Sequence, residues 1–286
     1  MRALLDRRVF LKAAGAAAAL PTALGGLAPA GQFSGRIKKA VKFHMIDEDL
    51  SVTDKFKLLE DLGFDGVEIV RRKGPDPAEA VKARETTGLP IHGITNSSDP
   101  DITGAVDLAK LYGATSVLLV AGRVNEETPY DENYRVVQER IRQALPYAEK
   151  QQIKLLVENV WNNFLLSPLE MARFVDELES PWAGVYFDVG NVVRIGWPEH
   201  WIRILGKQIG KLDIKEYSRT KQFNEGARKG FDVEIGDPEG DCGWPAVRQA
   251  LLEIDYRGWA TAEVPGGDRQ RLANIAERMD RVLDLK

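Results

Sequence analysis

The chain has 286 residues, of which 44% are hydrophobic and 29% are charged, and its formal net charge is −4. This length fits one large α/β domain with a substantial core. The acidic balance disfavours nucleic acid and anionic membrane surfaces as partners. The single cysteine, Cys242, excludes an internal disulfide.

The first 30 residues have the pattern of an export signal. Arg7 and Arg8 stand directly before Val-Phe-Leu-Lys, and an Ala-, Leu- and Gly-rich run then ends in a small-residue Ala-Pro-Ala site. Paired arginines in this position resemble a twin-arginine signal. We therefore predict cleavage after Ala30, a periplasmic or otherwise exported protein, and a mature domain of residues 31–286.

The composition of this signal segment bears on membrane anchoring and on the charge of the mature domain. Pro21 and several glycines weigh against a stable membrane-spanning helix, so stable membrane anchoring is not expected, and an uncleaved anchor is the alternative. Removal of residues 1–30 takes away four basic residues and one acid, which changes the net charge from −4 to −7.

After the signal, short apolar runs alternate with segments of helical periodicity. The apolar runs predict eight strands, at residues 40–46, 66–70, 89–95, 115–120, 153–159, 183–189, 210–216 and 258–264. The periodic segments predict helices at residues 53–62, 76–88, 101–112, 131–151, 167–179, 198–205, 243–254 and 268–284. The segment 217–241 is polar, contains four glycines and lacks periodicity, so we predict a long loop there.

Eight strand–helix alternations without a break in composition predict a parallel sheet. Within about 250 residues, that number favours a single-domain (β/α)8 TIM barrel over an open doubly wound sheet. No GxGxxG motif follows the first strand, which disfavours dinucleotide binding.

Four consecutive predicted strands each carry a carboxylate at or near their carboxyl end. These residues are Glu158, Asp188, Asp213 and Glu263, on the fifth to eighth strands. Taken singly, each acid could cap a helix or lie in a solvated loop. Because the carboxyl ends of barrel strands converge on one mouth, we expect the four to meet there. Carboxylates that close repel one another unless they are protonated or bind a cation, so the pattern predicts a divalent metal site.

Several motifs resemble those of the xylose isomerase-like barrels, a family often described as sugar phosphate isomerases/epimerases, which includes the ketose 3-epimerases. Val-Glu-Asn at 157–159 is similar to the family's fifth-strand motif, and Phe-Asp-Val-Gly-Asn at 187–191 to its sixth-strand motif. The run LDIKEYSR at 212–219 is similar to H-x-K-D-x-x-R, and residues 235–264 to the family's C-terminal pattern. The resemblance covers about residues 38–285.

The resemblance implies roles for individual residues. Glu158 and Glu263 would be metal ligands and also the catalytic acid/base pair. Asp188 and Asp213 would complete the metal shell. Arg219 matches the substrate-binding arginine that follows the seventh strand.

Two positions depart from the family pattern. Asp213 stands where the family usually has histidine, which makes the donor set all-oxygen and favours Mg²⁺ or Mn²⁺ over Zn²⁺. Asn191 occupies the position where ketose epimerases place a substrate-binding histidine. It is therefore a candidate substrate contact, and the identity of the sugar stays open.

Further side chains are candidates for the substrate-facing wall. They are His44, His92, Glu68, Trp161 and Lys215. Each histidine would line the mouth or be a satisfied core residue, and Trp161 would stack on a sugar ring or simply pack. Glu68, late in the second strand, would be a substrate-facing acid. Lys215 would reach the site, or pair with Glu216 or Asp188.

The sequence therefore predicts an enzyme of carbohydrate metabolism, a divalent-metal-dependent sugar isomerase/epimerase that transfers a proton next to a carbonyl through an enediolate. The main alternative is a metal-dependent lyase or hydratase acting on 3-keto-glycosides or derived keto-sugars. An endonuclease IV-like phosphodiesterase is disfavoured by the acidic charge and the three histidines, and a non-catalytic sugar-binding protein stays open. The expected partner is a small-molecule sugar, and the sequence leaves open a homo-oligomer.

Overall fold

The computed structural model describes residues 31–286, so the predicted signal at residues 1–30 lies outside the described residues. Eight parallel strands form a closed barrel in which each strand pairs with the next in the chain and the last pairs with the first. The strands are β1 (Ile37–Lys42), β2 (Gly66–Val70), β3 (Ile91–Ser97), β4 (Ser116–Val120), β5 (Lys154–Glu158), β6 (Ala183–Asp188), β7 (Ile209–Ile214) and β8 (Gly258–Ala262). The predicted (β/α)8 TIM barrel is confirmed.

Helices connect the strands and cover the outside of the barrel. They are α1 (Val52–Asp61), α2 (Pro77–Thr87), α3 (Ile102–Tyr112), α4 (Tyr130–Gln151), α5 (Pro168–Asp176), α6 (Val189–Val193), α7 (Pro198–Leu205), α8 (Arg219–Glu225), α9 (Trp244–Glu253) and α10 (Arg269–Leu283). None of the helices between residues 31 and 286 combines the length and the apolar character that a membrane span requires.

Helix boundaries follow from local capping chemistry, as α2 illustrates. The Asp76 side chain accepts hydrogen bonds from the backbone N–H groups of Ala78 and Glu79, and Pro77 is the first helical residue. Gly88 follows the helix with a φ of 78°, in the left-handed region that favours glycine. An acidic N-cap satisfies backbone donors that the first turn leaves free, which is why the sequence predicted both ends of this helix to within about one residue.

Two predicted features differ from the structure. The first strand was predicted at 40–46, whereas β1 ends at Lys42, which places this lysine at the barrel mouth. The predicted loop at 217–241 contains α8 and a 3-10 helix at Ala227–Phe231. Every residue of α8 keeps some solvent exposure, so this helix has no apolar stripe from which it could be predicted.

The barrel is apolar on its outside and polar within. Between the strands and the helices, the core consists of side chains such as Val67, Ile91 and Val117. Inside the barrel, Leu118, Leu156 and Tyr186 form a small separate apolar cluster. Charged side chains are also buried on these strands, namely Lys42, Glu68, Glu158, Asp188, Lys211 and Asp213.

Candidate active site at the barrel mouth

Four carboxylates from consecutive strands meet at the carboxyl ends of β5–β8. Glu158 and Asp188 are the last residues of their strands, and Asp213 is the last but one of β7. Glu263 directly follows β8. Each side chain offers one oxygen atom, and these oxygens lie within 4.8 Å of one another. We call these four residues the carboxylate cluster.

Asn159 fixes the ends of β5 and β6 beneath this cluster. Its Oδ1 accepts a hydrogen bond from the Asp188 N–H, and its Nδ2 donates to the Asp188 carbonyl, both at 2.8 Å. Asp188 Oδ1 in turn accepts from the Asn191 N–H at 2.8 Å and so caps α6. These bonds fix the orientation of the Asp188 carboxylate, because both its backbone and one of its oxygens are held.

Two ammonium groups lie among the four carboxylates. Lys42, at the end of β1, donates to Asp213 Oδ2 at 3.0 Å and also contacts Glu263. Lys215, directly after β7, lies 2.7 Å from Asp188 Oδ2 and also contacts Glu263. Lys215 therefore reaches the site and pairs with Asp188 there, which combines two of the sequence alternatives.

Burial and the neighbouring ammonium groups shift the pKa values of the carboxylates in opposite directions. Burial raises the pKa of Glu158 well above its usual range, and the neighbouring Glu263 and Asp213 add to this. Burial likewise raises the pKa of Asp213, against the opposing effect of Lys42. Burial would also raise the pKa of Glu263, but the ammonium groups of Lys42 and Lys215 hold it below its usual value. The two lysines thus neutralise part of the cluster.

The donor set of the cluster fits a hard divalent cation. Asp213 Oδ1 is buried and has no hydrogen-bond partner among residues 31–286, and an orphaned buried oxygen of this kind is costly. With every group ionised, four carboxylates against two ammonium groups leave a formal charge of −2. An all-oxygen set of this charge suits Mg²⁺ or Mn²⁺.

Two candidate residues lie in the barrel interior. The His92 ring stacks on Trp259 with 4.3 Å between centroids. Its Nδ1 lies 3.1 Å from Lys211 Nζ, and its Nε2 lies 3.1 Å from Thr261 Oγ1. Of the two alternatives for His92, the structure supports the satisfied core residue. The Glu68 carboxylate is 0% exposed and lies 3.9 Å from Lys42 Nζ, and its contact with substrate stays a prediction.

Trp161 packs within the protein, which is the second of its predicted alternatives. Its ring centroid lies 4.8 Å from that of Phe231 and 5.5 Å from that of Tyr217. The Arg194 guanidinium lies 4.7 Å from the ring centroid, and Trp161 Nε1 donates to the Asn191 carbonyl at 2.9 Å. These neighbours hold the partly buried ring in place, and its stacking on a sugar stays a prediction.

Asn191 and Arg219 are both engaged with backbone carbonyls. Asn191 Nδ2 donates to the Asn159 carbonyl at 2.9 Å. The Arg219 guanidinium donates to the carbonyls of Val193 at 3.1 Å and Gly196 at 2.7 Å. Both residues therefore hold the segment after β6 in place, and their contact with substrate stays a prediction.

His44 lies at the rim of the mouth, in the 3-10 turn after β1, with an exposed side chain. Partial burial of its ring, together with the positive charges of Lys42 and Lys73, lowers its pKa. Of the alternatives for His44, this position agrees with the one at the mouth.

Glu216, next to Lys215, ties the loop after β7 to the start of α9. Its buried carboxylate accepts hydrogen bonds from Trp244 Nε1 at 2.7 Å, the Gly236 N–H at 2.9 Å and the Cys242 N–H at 3.0 Å. The buried Cys242 thiol donates to the Lys215 carbonyl at 3.4 Å. A charged acceptor with several donors forms strong bonds, so this loop is fixed beside the cluster.

Sequence reasoning did not single out Lys42 or Asn159, and it named Glu216 merely as a partner for Lys215. For Lys42 a signal was present, because a lysine in an apolar strand requires a buried counter-charge. For Asn159 and Glu216 the partners lie 20 to 29 residues away along the chain, and spacing alone does not reveal such contacts.

The sequence profile of the xylose isomerase-like TIM barrel family matches residues 56–285, and the chain belongs to that family. The resemblance in the sequence motifs is thereby confirmed. This match includes all four residues of the carboxylate cluster.

Individual relatives extend this comparison. A Haemophilus influenzae protein, provisionally named L-ribulose-5-phosphate 3-epimerase SgbU, is 27% identical over 155 residues. That match covers 54% of this chain and 53% of the relative, or about half of the relative's length. The structure of D-allulose 3-epimerase from Methylomonas sp. is 18% identical, with a TM-score of 0.66, and covers 87% of this chain and 98% of that one.

A dehydratase also has this fold. The probable 3-DHS dehydratase AsbF from Bacillus anthracis is 16% identical, with a TM-score of 0.66, over 84% of this chain and 97% of that one. Identities this low show that the fold is shared and carry no further conclusion about activity.

Proposed function

We propose that this protein is a divalent-cation-dependent sugar epimerase or isomerase. The observation that carries the proposal is the carboxylate cluster at the barrel mouth, where four strand ends bring their oxygens within 4.8 Å. Membership of the xylose isomerase-like family and the epimerase names of two relatives support it. Glu158, Asp188, Asp213 and Glu263 would hold the ion, with Mn²⁺ or Mg²⁺ as the expected choice.

The two glutamates of the cluster are suited to proton transfer. Glu158 and Glu263 extend from strands that are separated by β6 and β7, so their carboxylates approach the mouth from different sides. One glutamate would remove the proton next to the sugar carbonyl, and the other would return a proton. Return to the opposite face of the same carbon is epimerisation, and return to the neighbouring carbon is isomerisation. Lewis-acid polarisation of the carbonyl is the chemistry that a bound Mn²⁺ or Mg²⁺ supplies.

A lyase or hydratase is the second candidate. The specific observation in its favour is the shared fold with a probable dehydratase, together with a glutamate pair that could remove a proton next to a carbonyl. A keto-sugar with a leaving group β to that carbonyl, such as a 3-keto-glycoside, would then undergo elimination. An endonuclease IV-like site gains no support, because none of the chain's three histidines belongs to the cluster.

The test is a screen of ketoses and 3-keto-glycosides in D₂O with Mn²⁺ or Mg²⁺. We expect one carbon-bound hydrogen next to the carbonyl to exchange for deuterium, with an epimer or isomer as product. An unsaturated or dehydrated product would instead support the lyase. Sugar binding without any exchange would contradict both enzymes and support a non-catalytic sugar-binding protein.

Export by the twin-arginine route is a separate proposal, supported by Arg7 and Arg8 before an apolar run. Replacement of both arginines by lysine should keep the precursor inside the cell. Fractionation of cells that express each form measures this, and unchanged export of the variant would overturn the proposal.

A further inference from the structure

Lys42 occupies oxygens that a cation would need. Its ammonium is 3.0 Å from Asp213 Oδ2 and also contacts Glu263 Oε1. The residue is 1% exposed, so solvent cannot compensate its charge. An ammonium group and a divalent cation repel each other strongly at such short range, so both cannot share the same carboxylate oxygens.

Glu68 offers the Lys42 ammonium another buried anion. Lys42 and Glu68 are register partners on β1 and β2, and Lys42 Nζ lies 3.9 Å from Glu68 Oε2, beyond hydrogen-bond distance. Glu68 Oε2 accepts from Thr95 Oγ1 at 3.2 Å, whereas Oε1 is buried and without a hydrogen-bond partner in the described part of the chain. A carboxylate oxygen without a hydrogen-bond partner thus lies a short movement of one flexible side chain away, although the buried Lys211 ammonium also attracts the Glu68 carboxylate.

We propose that Lys42 is a displaceable counter-ion of the carboxylate cluster. In the cation-free protein its ammonium stabilises Asp213 and Glu263, and on cation binding it moves to Glu68. Glu68 then sets the cation affinity without touching the cation, because it receives the displaced charge. This inference rests on the proposed function through the divalent cation, and it assigns Lys42 and Glu68 as positioning residues.

Titration calorimetry of Mn²⁺ into the chelator-stripped full protein tests the displacement. Lys42→Met should bind Mn²⁺ about tenfold more tightly or better, since the Lys42 ammonium no longer has to leave Asp213 and Glu263; tenfold corresponds to about 1.4 kcal/mol. Glu68→Gln should bind about tenfold more weakly, since the displaced ammonium finds no anion. The double variant Lys42→Met/Glu68→Gln should match Lys42→Met within about twofold, because Glu68 acts through Lys42.

Lys39→Met is the matched control. Lys39 is likewise a buried lysine of β1, but its ammonium pairs with Asp280 at 2.6 Å on the outside of the barrel. Its loss should leave the Mn²⁺ affinity within about twofold of wild type. If Lys39→Met changed the Mn²⁺ affinity as much as Lys42→Met does, the affinity would depend on the stability of β1 and not on the position of the Lys42 ammonium. That result would overturn the inference.

Other outcomes separate this inference from the proposed function. One such outcome is that wild type binds Mn²⁺ while Glu68→Gln lowers the Mn²⁺ affinity by the same factor in the wild-type and Lys42→Met backgrounds. Glu68 would then act through its own charge, so the displacement of Lys42 would be wrong while the proposed function stands. If wild type binds no divalent cation but Lys42→Met does, the Lys42 ammonium stays on the carboxylates of the wild-type protein. Both the displacement and the cation-dependent function would then be wrong. If Lys42→Met does not fold, the affinity of Glu68→Gln decides, and an unchanged value overturns the inference.

Discussion

The two halves of the barrel mouth contribute different groups to the site. In the half built from β5–β8, every strand end supplies a carboxylate to one cluster. In the half built from β1–β4, β1 ends on the Lys42 ammonium, and Asn96 of β3 donates to the Asp99 carbonyl of its own loop. The four clustered carboxylates therefore come from one half alone, whereas the ammonium groups come from both halves, Lys42 from β1 and Lys215 from the segment after β7.

The largest effect is expected at the glutamates of the β5–β8 half. Glu158→Gln and Glu263→Gln keep the size of the side chain and one ligating oxygen but remove the basic carboxylate. Turnover of the substrate found in the screen should fall by about 10²–10⁴ for each variant. Product formation and deuterium exchange should be followed separately, because the glutamate that returns the proton is needed for product but not for the initial exchange.

The control for this pair is Glu253→Gln, which removes a glutamate of α9 that pairs with Arg203 on the outer surface. Its turnover should equal that of wild type. Product formation at the wild-type rate by both Glu158→Gln and Glu263→Gln would contradict the proposed mechanism and leave the two glutamates with a structural role.

The next effect concerns the cation. Asp213→Asn removes an anionic oxygen and should weaken Mn²⁺ binding by about tenfold or more, or about 1.4 kcal/mol. Asp213→His should shift preference toward softer ions such as Co²⁺ and Zn²⁺. Elemental analysis of the purified variants measures both changes, with the exposed Asp232→Asn as control. A metal content of Asp213→Asn equal to that of wild type would exclude β7 as a source of a ligand.

An effect of comparable size is expected on stability at Glu216, which lies next to Lys215 in the loop after β7. Glu216→Gln loses the charge that four hydrogen-bond donors share, so the free energy of unfolding should fall by about 1–3 kcal/mol. Urea denaturation measures the change, and Glu234→Gln, whose side chain is 40% exposed, is the control. Equal stability of the two variants would mean that the loop after β7 is held by other contacts.

The smallest effect is expected at Arg219, where the sequence and the structure favour different roles. Arg219→Lys keeps the positive charge but cannot reproduce both bonds to the Val193 and Gly196 carbonyls, so stability should fall by about 1 kcal/mol. Urea denaturation and the KM of the substrate should be measured together. A raised KM with unchanged stability would restore the sequence-based assignment as a substrate ligand.

The sequence predicted the fold well because each strand–helix unit carries its own local signals. The apolar runs, the N-cap at Asp76 and the left-handed Gly88 are all properties of neighbouring residues. The carboxylate cluster could be predicted because its four acids lie at or next to strand ends, and the barrel brings strand ends together.

The remainder of the site depends on contacts between distant segments. Lys42 pairs with Asp213, which lies 171 residues away in the chain. The spacing of apolar residues along the sequence does not predict a contact between such distant positions. The sequence left His92 either at the mouth or in the core and predicted a substrate-facing Glu68, because the placement of a strand residue near a register shift is not fixed by simple alternation. The ladder between β2 and β3 contains such a shift next to Glu68.

The buried thiol of Cys242 gives this protein a built-in reporter. Cys242 is the single cysteine of the chain, and its thiol lies against the Lys215 carbonyl where the loop after β7 joins α9. A thiol reagent can reach it when this segment opens. The labelling rate therefore measures the free energy of local opening beside the carboxylate cluster. Comparing that rate with and without Mn²⁺ would follow the dynamics of the site in the unmodified protein.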